Sequence, residues 1–322
     1  MKVFVTGAGG FIGRALLAAL RQDGIEAGGV DRVPAPGDDA VVAGDTTEPG
    51  PWRHALEGAD VVVHTAAVVS NAVKLHEQWR VNVLGTRRVV EAAAAAGVRR
   101  VVHLSSIRAF SDTGFPAGVT EDHPVRPDGN PYVDTKIASE HVVLAAHAAR
   151  EVEAVVVRPG DVYGPGSQPW VVKPLALLRT GQLLLPARGR GVFSPVHVDD
   201  LVRGLVLAAT RPTAAGQVFT VVGPRTVTTG EYFGALARAA GRRPPPSAPT
   251  PVAVALASLV DGVNRARGRR TEVNAGTVRY LTRTGGYSGE KARRLLGLEP
   301  AIDLDEGMRG VAQWLAEQGL RR

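Results

Sequence analysis

The chain of 322 residues contains no cysteine. Disulfide bonds and catalysis by a thiolate are therefore excluded, and a zinc site would have to be built from histidine and carboxylate side chains alone. We expect no metal site.

Long apolar runs are also missing. No stretch approaches the 18 or more consecutive apolar residues of a membrane-spanning helix, and the longest candidate, Val252–Val260, has about half that length. The apolar run at the N-terminus is too short for a signal peptide. These absences predict a cytoplasmic protein without a membrane span.

Lysine and aromatic residues are scarce, whereas arginine is abundant and dispersed. The net charge is +7, yet lysine occurs only at positions 2, 74, 136, 173 and 291. A nucleic-acid surface would show a basic stripe interleaved with aromatic residues, and aromatic residues make up only 5% of this chain. We therefore expect a solvated basic surface, a small-molecule substrate and no nucleic-acid partner.

A glycine-rich segment follows the first predicted strand, at residues 2–6. Gly7, Gly10 and Gly13 have the spacing G-x-x-G-x-x-G and precede a helical stretch at 14–21. Glycines at these positions let the chain turn tightly and bring backbone N–H groups to a pyrophosphate at the positive end of the helix. The segment therefore predicts a dinucleotide site.

A carboxylate ends the next predicted strand, Glu26–Val30. Asp31 lies about 20 residues beyond the glycines, where a carboxylate binds the ribose hydroxyls of NAD and repels the 2′-phosphate of NADP. The neighbouring Arg32 could accept that phosphate. The sequence thus favours NAD and leaves NADP open.

Strands and helices go on alternating along the first half of the chain. Further strands are predicted at 41–43, 60–64, 99–104 and 154–157, and a long helix at 77–96. This alternation predicts the α/β class, with a Rossmann-type, doubly wound parallel sheet whose ligands bind beyond the carboxyl ends of the strands.

The alternation loosens after about residue 165. We expect a nucleotide-binding Rossmann domain at 1–165 and a smaller, mainly helical substrate lobe at 166–322, with 193–222 returning to the Rossmann core.

Tyr132 and Lys136 lie four residues apart in a predicted helix, which places both side chains on one face, one turn apart. A free tyrosine ionises near pH 10, and a nearby positive charge lowers that pKa. The pair is therefore a candidate device for moving a proton on or off an alcohol. Ser106 follows the strand at 99–104 and is expected in the same crevice.

The order and spacing of these motifs resemble the extended short-chain dehydrogenase/reductases, the group of NAD-dependent sugar epimerases, dehydratases and 3β-hydroxysteroid dehydrogenases. The resemblance covers essentially the whole chain. Its main carriers are Thr6–Gly13, Gly44-Asp45, His64–Ala67, Asn82–Thr86, Ser105-Ser106, Tyr132–Lys136, Arg158–Gly166 and His197–Leu201. The resemblance implies an NAD-dependent enzyme that forms a homodimer through the helices at 77–96 and 132–149.

The resemblance also implies a role for individual residues. Tyr132 would be the catalytic acid/base, Lys136 would hold the nicotinamide ribose and lower the pKa of Tyr132, and Ser106, rather than Ser105, would bind the reacting oxygen. The cofactor would be held by Gly7, Gly10, Phe11, Ile12, Gly13, Asp31, Arg32, Asp45, Thr46, Ala66, Lys136, Pro159 and Val162.

Two departures from the family pattern narrow the chemistry. Dehydratases similar to this chain carry an Asp-Glu pair after the active serine, where this chain has Ile107 and Arg108, so loss of water by that route is not expected. Nucleotide-sugar enzymes commonly have Asn where this chain has Asp161 and an Arg-Asp pair where it has Ser194-Pro195, and a carboxylate is a poor neighbour for a diphosphate. Arg188 and Arg190 lie near Ser194 in sequence and could partly substitute for the missing arginine.

A proline-rich linker precedes an apolar helix predicted at 252–267. Such a helix near the pocket would suit an apolar substrate, and it would equally suit plain packing. We predict an NAD(P)-dependent oxidoreductase that transfers a hydride between the nicotinamide and a secondary alcohol or ketone of a largely apolar substrate, like the 3β-hydroxysteroid dehydrogenases. A nucleotide-sugar epimerase or reductase is the alternative, and a non-catalytic NAD(P) sensor is a third, minor one.

Overall fold

The computed structural model describes residues 1–112, 116–268 and 270–321. The strands in these ranges are β1 (Lys2–Thr6), β2 (Glu26–Asp31), β3 (Val41–Ala43), β4 (Val61–His64), β5 (Arg100–Leu104), β6 (Glu153–Pro159), β7 (Asp161–Tyr163), β8 (Val192–Phe193), β9 (Pro195–His197), β10 (Val218–Val221) and β11 (Val227–Thr228). The α-helices are α1 (Phe11–Gln22), α2 (Leu75–Trp79), α3 (Thr86–Ala95), α4 (Pro131–Ala148), α5 (Lys173–Arg179), α6 (Val198–Thr210), α7 (Thr229–Ala239), α8 (Thr250–Ala266), α9 (Ala275–Leu281), α10 (Glu290–Leu296) and α11 (Leu304–Glu317).

Seven parallel strands form the main sheet, in the order β10-β6-β5-β4-β1-β2-β3. The order reverses direction between β1 and β4, so the loops after these two strands diverge and leave a crevice at the carboxyl edge. This topology confirms the predicted Rossmann-type α/β fold.

Both faces of the sheet are buried, as the strand sequences require. Val3 and Val5 of β1 point into a core cluster shared with α1 and α6, whereas Phe4 points into a second cluster on the other face, shared with α3 and α4. Alternate residues of one strand thus pack against the helices on opposite faces of the sheet. On one of these faces, α4 packs against β6.

A third core cluster lies in the C-terminal half of the chain, where α5, α7 and α11 pack together. Beside it, Ala253 and Ala257 of α8 pack on Val278 of α9. Helix α9 was not among the predicted elements, because seven residues give too short an apolar pattern to stand out from the loop around it.

The predicted helix at 77–96 is present in three pieces that follow one another without a break. α2 leads into a π-helical stretch, Arg80–Gly85, which continues as α3. Asn82 in the π-helical stretch accepts a hydrogen bond from the backbone N–H of Val68 (2.8 Å) and donates to the hydroxyl of Thr135 (3.1 Å). It therefore ties the loop after β4 to α4.

Candidate active site

The turn between β1 and α1 and the start of the helix require glycine at two positions. Gly7 has a φ of +69°, and a Cβ there would lie 2.8 Å from the backbone nitrogen of Ala66. A Cβ on Gly13 would lie 2.1 Å from the carbonyl oxygen of Gly7. The loop, the start of α1 and the end of β4 are thus in backbone contact, which leaves an open cradle above them.

The first turn of α1 offers its N–H groups to an anion. Gly10 precedes the helix and supplies no side-chain cap, and the first turn contains no acidic residue. Phe11 and Ile12 open the helix, so their unpaired backbone N–H groups and the helix dipole face the cradle. This arrangement fits the pyrophosphate of a dinucleotide.

Two carboxylates follow the next strands at the same edge. Asp31, at the end of β2, accepts hydrogen bonds from the backbone N–H groups of Gly9 (3.0 Å) and Val33 (3.0 Å). Partial burial opposes the ionisation of Asp45, but hydrogen bonds from Thr47 and the charges of Arg80 and Arg32 outweigh it and lower the pKa of Asp45.

The remaining residues predicted to hold the cofactor lie at the same edge of the sheet, in different surroundings. Thr46 is buried, and Arg32 is exposed. Ala66 follows β4 and lies against Gly7, and Pro159 ends β6. Val162 in β7 is buried within the core cluster beneath α6.

Ser106 and Tyr132 are brought together although they are distant in sequence. Ser106 follows β5, and its hydroxyl is close enough to Tyr132 to lower the pKa of the phenol. The Ser106 hydroxyl oxygen also accepts a hydrogen bond from the backbone N–H of Arg108 (3.2 Å). Asn130 caps α4 by accepting from the backbone N–H of Tyr132 (3.0 Å), and Pro131 begins the helix. Both hydroxyl-bearing side chains are largely buried.

Ser105 is committed elsewhere. Its hydroxyl donates to Glu140 of α4, whose carboxylate also accepts two hydrogen bonds from the buried guanidinium of Arg158 (2.9 and 2.7 Å). This pairing supports the choice of Ser106 as the serine that is free to bind a reacting oxygen.

Lys136 lies one turn along α4 from Tyr132 and is almost fully buried. Its ammonium donates to the carbonyl oxygen of Leu104 (2.6 Å). Burial lowers the pKa of Lys136 to about 8, with the carboxylate of Glu140 acting in the opposite direction.

A second cation, Arg108, is directed at Tyr132. Its guanidinium carbon lies 5.1 Å from the ring centre of Tyr132 and 4.8 Å from that of Tyr280. Asp112 holds it with two hydrogen bonds, and the side-chain oxygen of Asn71 accepts a third (3.0 Å). The guanidinium is therefore fixed between the two rings.

Arg108 acts on the phenol in this structure. Burial raises the pKa of Tyr132, while the charge of Arg108 and the hydrogen bond from Ser106 lower it and Asp112 raises it. The Lys136 ammonium is directed at the carbonyl of Leu104, and its expected effect on the pKa of Tyr132 stays a prediction.

Replacing Arg108 by methionine is expected to raise the pKa of Tyr132 further, because the variant removes a nearby cation that favours the phenolate. The ultraviolet difference spectrum between R108M and R108M/Y132F, titrated with alkali, reports this phenol alone. The exposed Arg126, changed in R126M, is the matched control. An unchanged Tyr132 titration in R108M would show that the guanidinium has no influence on it.

Two histidines lie beneath the site and are fully buried. His64 bonds Thr6 (2.6 Å) and Thr86 (2.9 Å) through its two ring nitrogens, and its ring stacks on His103 with centres 5.4 Å apart. Burial, together with the charge of Lys136, lowers the pKa of His64 to about 3. Both rings are thus neutral in the folded protein at pH 7.

This burial makes the fold sensitive to acid. A group whose pKa is depressed in the folded state stabilises it above the unfolded pKa, near 6.5, and that contribution is lost as the pH falls toward 3. Because His64 is buried in its neutral form, we expect the free energy of unfolding to fall by about 2 kcal/mol as the pH is lowered from 6.5 to 5. Urea titrations should show a smaller loss in H64Q, whereas H54Q, at a side chain 82% exposed, should match the wild type.

Beyond Arg108, a buried network joins the Rossmann core to the C-terminal half. Asp161 accepts hydrogen bonds from the hydroxyl of Tyr280, the guanidinium of Arg283 (3.2 Å) and the backbone N–H of Ser194 (3.0 Å). Burial raises the pKa of Asp161 to about 6, with Arg283 opposing. Arg283 also lies 3.8 Å from the ring centre of Tyr280 and donates to the hydroxyl of Tyr287 (3.1 Å).

In the sequence, Arg108 stands out only because similar dehydratases have an acidic residue at this position. No role is predicted from the sequence for Asp112, Tyr280 or Arg283. Two signals were present. Arg108 and Asp112 have the i, i+4 spacing of an ion pair, and Tyr280, Arg283 and Tyr287 form a local concentration of aromatic and arginine residues in a chain that has few aromatics.

The glycine cradle, the Ser106–Tyr132 pair and Lys136, on a seven-stranded parallel sheet, define an NAD(P)-dependent short-chain dehydrogenase/reductase of the extended type. The profile of the NAD dependent epimerase/dehydratase family matches residues 3–223, more than half of the chain. The chain belongs to this family. This confirms the predicted class of enzyme and the prediction that its cofactor is NAD.

Similar proteins of known activity cover nearly the whole chain. It is 30% identical to the 4-hydroxy-2-methyl-3-oxo-4-farnesyl-3,4-dihydroquinoline-1-oxide ketoreductase of Stigmatella aurantiaca, over 97% of this chain and 96% of that protein. It is 28% identical to the 3 beta-hydroxysteroid dehydrogenase/Delta 5-->4-isomerase of Mycobacterium tuberculosis, over 95% and 88%. Among solved structures, MoeE5 in complex with UDP-glucose and NAD superposes with a TM-score of 0.79 at 28% identity, over 99% of both chains.

Proposed function

We propose that this protein is an NAD(P)-dependent ketoreductase or secondary-alcohol dehydrogenase for a largely apolar substrate. The observation that carries the proposal is that the two arginines of the buried network beside Tyr132 are each paired with a carboxylate. Arg108 is paired with Asp112, and Arg283 with Asp161. Neither guanidinium is left to bind a diphosphate, and Asp161 adds negative charge where nucleotide-sugar enzymes commonly have Asn.

Catalysis is proposed to rest on three residues. The hydroxyls of Ser106 and Tyr132 both donate toward the substrate oxygen and stabilise the negative charge that develops there. Tyr132 passes the proton to that oxygen in reduction and takes it back in oxidation. Lys136 holds the nicotinamide ribose. NAD, when bound, supplies or accepts the hydride at nicotinamide C4.

NAD is proposed as the preferred cofactor because of Asp31. Its carboxylate lies beside Gly9 at the edge of the cradle, where it suits the ribose hydroxyls and disfavours a 2′-phosphate. The exposed Arg32 keeps NADP as the second possibility. Comparing the KM for NADH with that for NADPH, in the wild type and in D31N, tests this preference.

The proposed activity is tested by following NADH oxidation with a 3-oxosteroid and with a 2-alkyl-3-oxoalkanoate, and by following NAD reduction and epimerisation with the nucleotide sugar UDP-glucose. The second tests the reaction of a further relative, the 2-alkyl-3-oxoalkanoate reductase of Stenotrophomonas maltophilia, which is 29% identical over 96% of this chain. We expect turnover with at least one ketone and none with UDP-glucose. Inactivity on all apolar ketones, with binding of UDP-glucose, would refute the proposed substrate class.

A nucleotide-sugar epimerase or reductase is the second candidate, favoured by the close superposition on MoeE5 bound to UDP-glucose. Thermal unfolding separates the two, because a ligand at 100 times its dissociation constant stabilises the protein by about 2.7 kcal/mol. Stabilisation by UDP alone would favour this candidate, since apolar ketones and UDP share no recognition chemistry.

A homodimer is proposed through α2, α3 and α4. On these helices and the π-helical stretch between α2 and α3, Trp79 and Leu84 are 41% and 43% exposed, and burying both in an interface would remove this apolar surface from water. Light scattering should give the mass of two chains, and W79S/L84S should give that of one. A wild-type mass of one chain would remove this proposal.

A further inference from the structure

Helix α8 presents an apolar stripe to the solvent. Of its 17 residues only Ala253 and Ala257 are buried, and these pack on α9. Five large apolar side chains repeat at helical spacing on the outer face and are each at least 40% exposed, and Leu259 reaches 64%. This α8 stripe consists of Val252, Leu256, Leu259, Val260 and Val263. So many exposed apolar side chains on one helix mark a contact surface.

The C-terminal end of the same helix is basic. The cations there are Arg265, Arg267, Arg270, Lys74 and Lys173, and the carboxylates among them are Asp261, Glu77 and Glu272. Five positive charges thus face three negative ones within the described part of the chain. Arg267 is exposed and has no carboxylate partner among the recorded ion pairs. The excess positive charge suits an anionic partner.

A further apolar side chain lies near this basic end. Val69 is 54% exposed, and its loop is bound to the segment after α8. Glu272 accepts hydrogen bonds from the hydroxyl of Ser70 (2.8 Å) and the backbone N–H of Asn71 (2.8 Å). The apolar surface therefore extends from α8 onto the Rossmann half, next to the arginines.

We propose that the α8 stripe docks on the surface of an anionic lipid bilayer, with its apolar side chains in the headgroup boundary and the basic end against lipid phosphates. An apolar helix face next to a basic cluster is the pattern of helices that lie in the membrane interface. Within the described residues no helix is long and apolar enough to cross a membrane, so the contact would be peripheral.

A second copy of the chain is a less suitable partner for the α8 stripe than a lipid bilayer. A stable protein interface buries roughly 800 Å² on each partner. Five side chains that are about half exposed offer only a few hundred Å², and a symmetric pairing would bring two basic ends close together. A bilayer has no such area requirement, and its phosphates offset the charge.

Docking at this face would place the bilayer next to the site. α8 packs on α9, and α9 carries Tyr280, whose ring lies against Arg108 at the wall beyond Tyr132. An apolar substrate could then pass from the lipid to the site without crossing water. The binding itself does not depend on the proposed activity, so a failure of one leaves the other intact.

The test is co-sedimentation of the full chain with vesicles of phosphatidylcholine alone or mixed with phosphatidylglycerol. We expect binding to the mixed vesicles that weakens as salt is added. Leu259→Ser should lower the partition constant about tenfold, since it removes the most exposed apolar side chain of the stripe. Arg267→Gln should lower it about fivefold on mixed vesicles only.

Val33→Ser is the matched control, because Val33 is 78% exposed and lies after β2, outside the stripe. It should bind vesicles like the wild type. Two results would overturn the proposal: no binding of the wild type to mixed vesicles, or equal binding of the Leu259 and Val33 variants. A solution mass that halves in Leu259→Ser without lipid would also overturn it, in favour of a second copy.

Discussion

Replacing Tyr132 by phenylalanine is expected to lower kcat by about 10²–10⁴-fold, the usual contribution of a general acid/base. The variant removes only the hydroxyl that is hydrogen-bonded to Ser106, and the ring keeps its place beneath Arg108. The affinity for NADH, measured by fluorescence titration, should change little because the ribose is assigned to Lys136. The measurement is steady-state turnover of the ketone that the wild-type protein reduces best.

Tyr163→Phe is a matched control for this experiment. It also removes a phenolic hydroxyl from a buried ring, one that donates to the carbonyl oxygen of Asp303 (3.1 Å), away from Ser106 and Lys136. It should lose some stability and keep its turnover. Unchanged turnover in Tyr132→Phe would remove the catalytic assignment and revive the reading of a non-catalytic NAD(P) sensor.

The sheet and the cofactor end of the site could be predicted because their signals are local. Strand β1, the glycine turn and α1 are contiguous, and a Cβ on Gly10 or Gly13 would meet Gly7 in the same unit, whereas Gly7 itself lies against Ala66 after β4. The carboxyl ends of parallel strands meet at one edge, so Asp31, Asp45 and Ser106 could be placed there from the strand pattern alone.

The substrate end could not be predicted because its contacts are distant in sequence and its segments have no regular pattern. Asp161 and Arg283 are 122 residues apart, yet their side chains meet in a fully buried pair. An arginine near the C-terminus reads as a surface residue, since burying it costs free energy unless a partner is present. Only the packing of α9 against the Rossmann half reveals that partner.

The same reasoning explains why the sequence did not predict the position of Arg108 beside Tyr132. The i, i+4 spacing correctly places Lys136 on the face of Tyr132, but spacing does not give the direction of a long side chain. The carbonyl of Leu104, at the end of β5, takes the ammonium. Arg108 reaches the phenol ring from a short 3₁₀ turn, Ile107–Phe110, for which no periodic pattern exists.

Replacing Arg283 by methionine is expected to destabilise the fold by about 3–5 kcal/mol at pH 8, the usual cost of removing one partner from a buried ion pair. The side chain of Arg283 is 1% exposed, and methionine fills similar space without its charge. Asp161 would keep the hydroxyl of Tyr280 and the N–H of Ser194 but lose its only recorded ion-pair partner. Urea unfolding followed by circular dichroism measures the difference.

This cost should shrink in acid. A carboxyl whose pKa is raised in the folded state stabilises that state at low pH, and the contribution is lost as the pH rises through the folded pKa. The pKa of Asp161 is about 6 even beside Arg283, so at pH 5 the carboxyl is mostly protonated and leaves little charge to compensate. R279M, at an exposed position in α9, should stay within about 0.5 kcal/mol of the wild type at both pH values. A loss in R283M that is equal at pH 5 and pH 8 would mean that packing, and not the charge on Asp161, is what Arg283 provides.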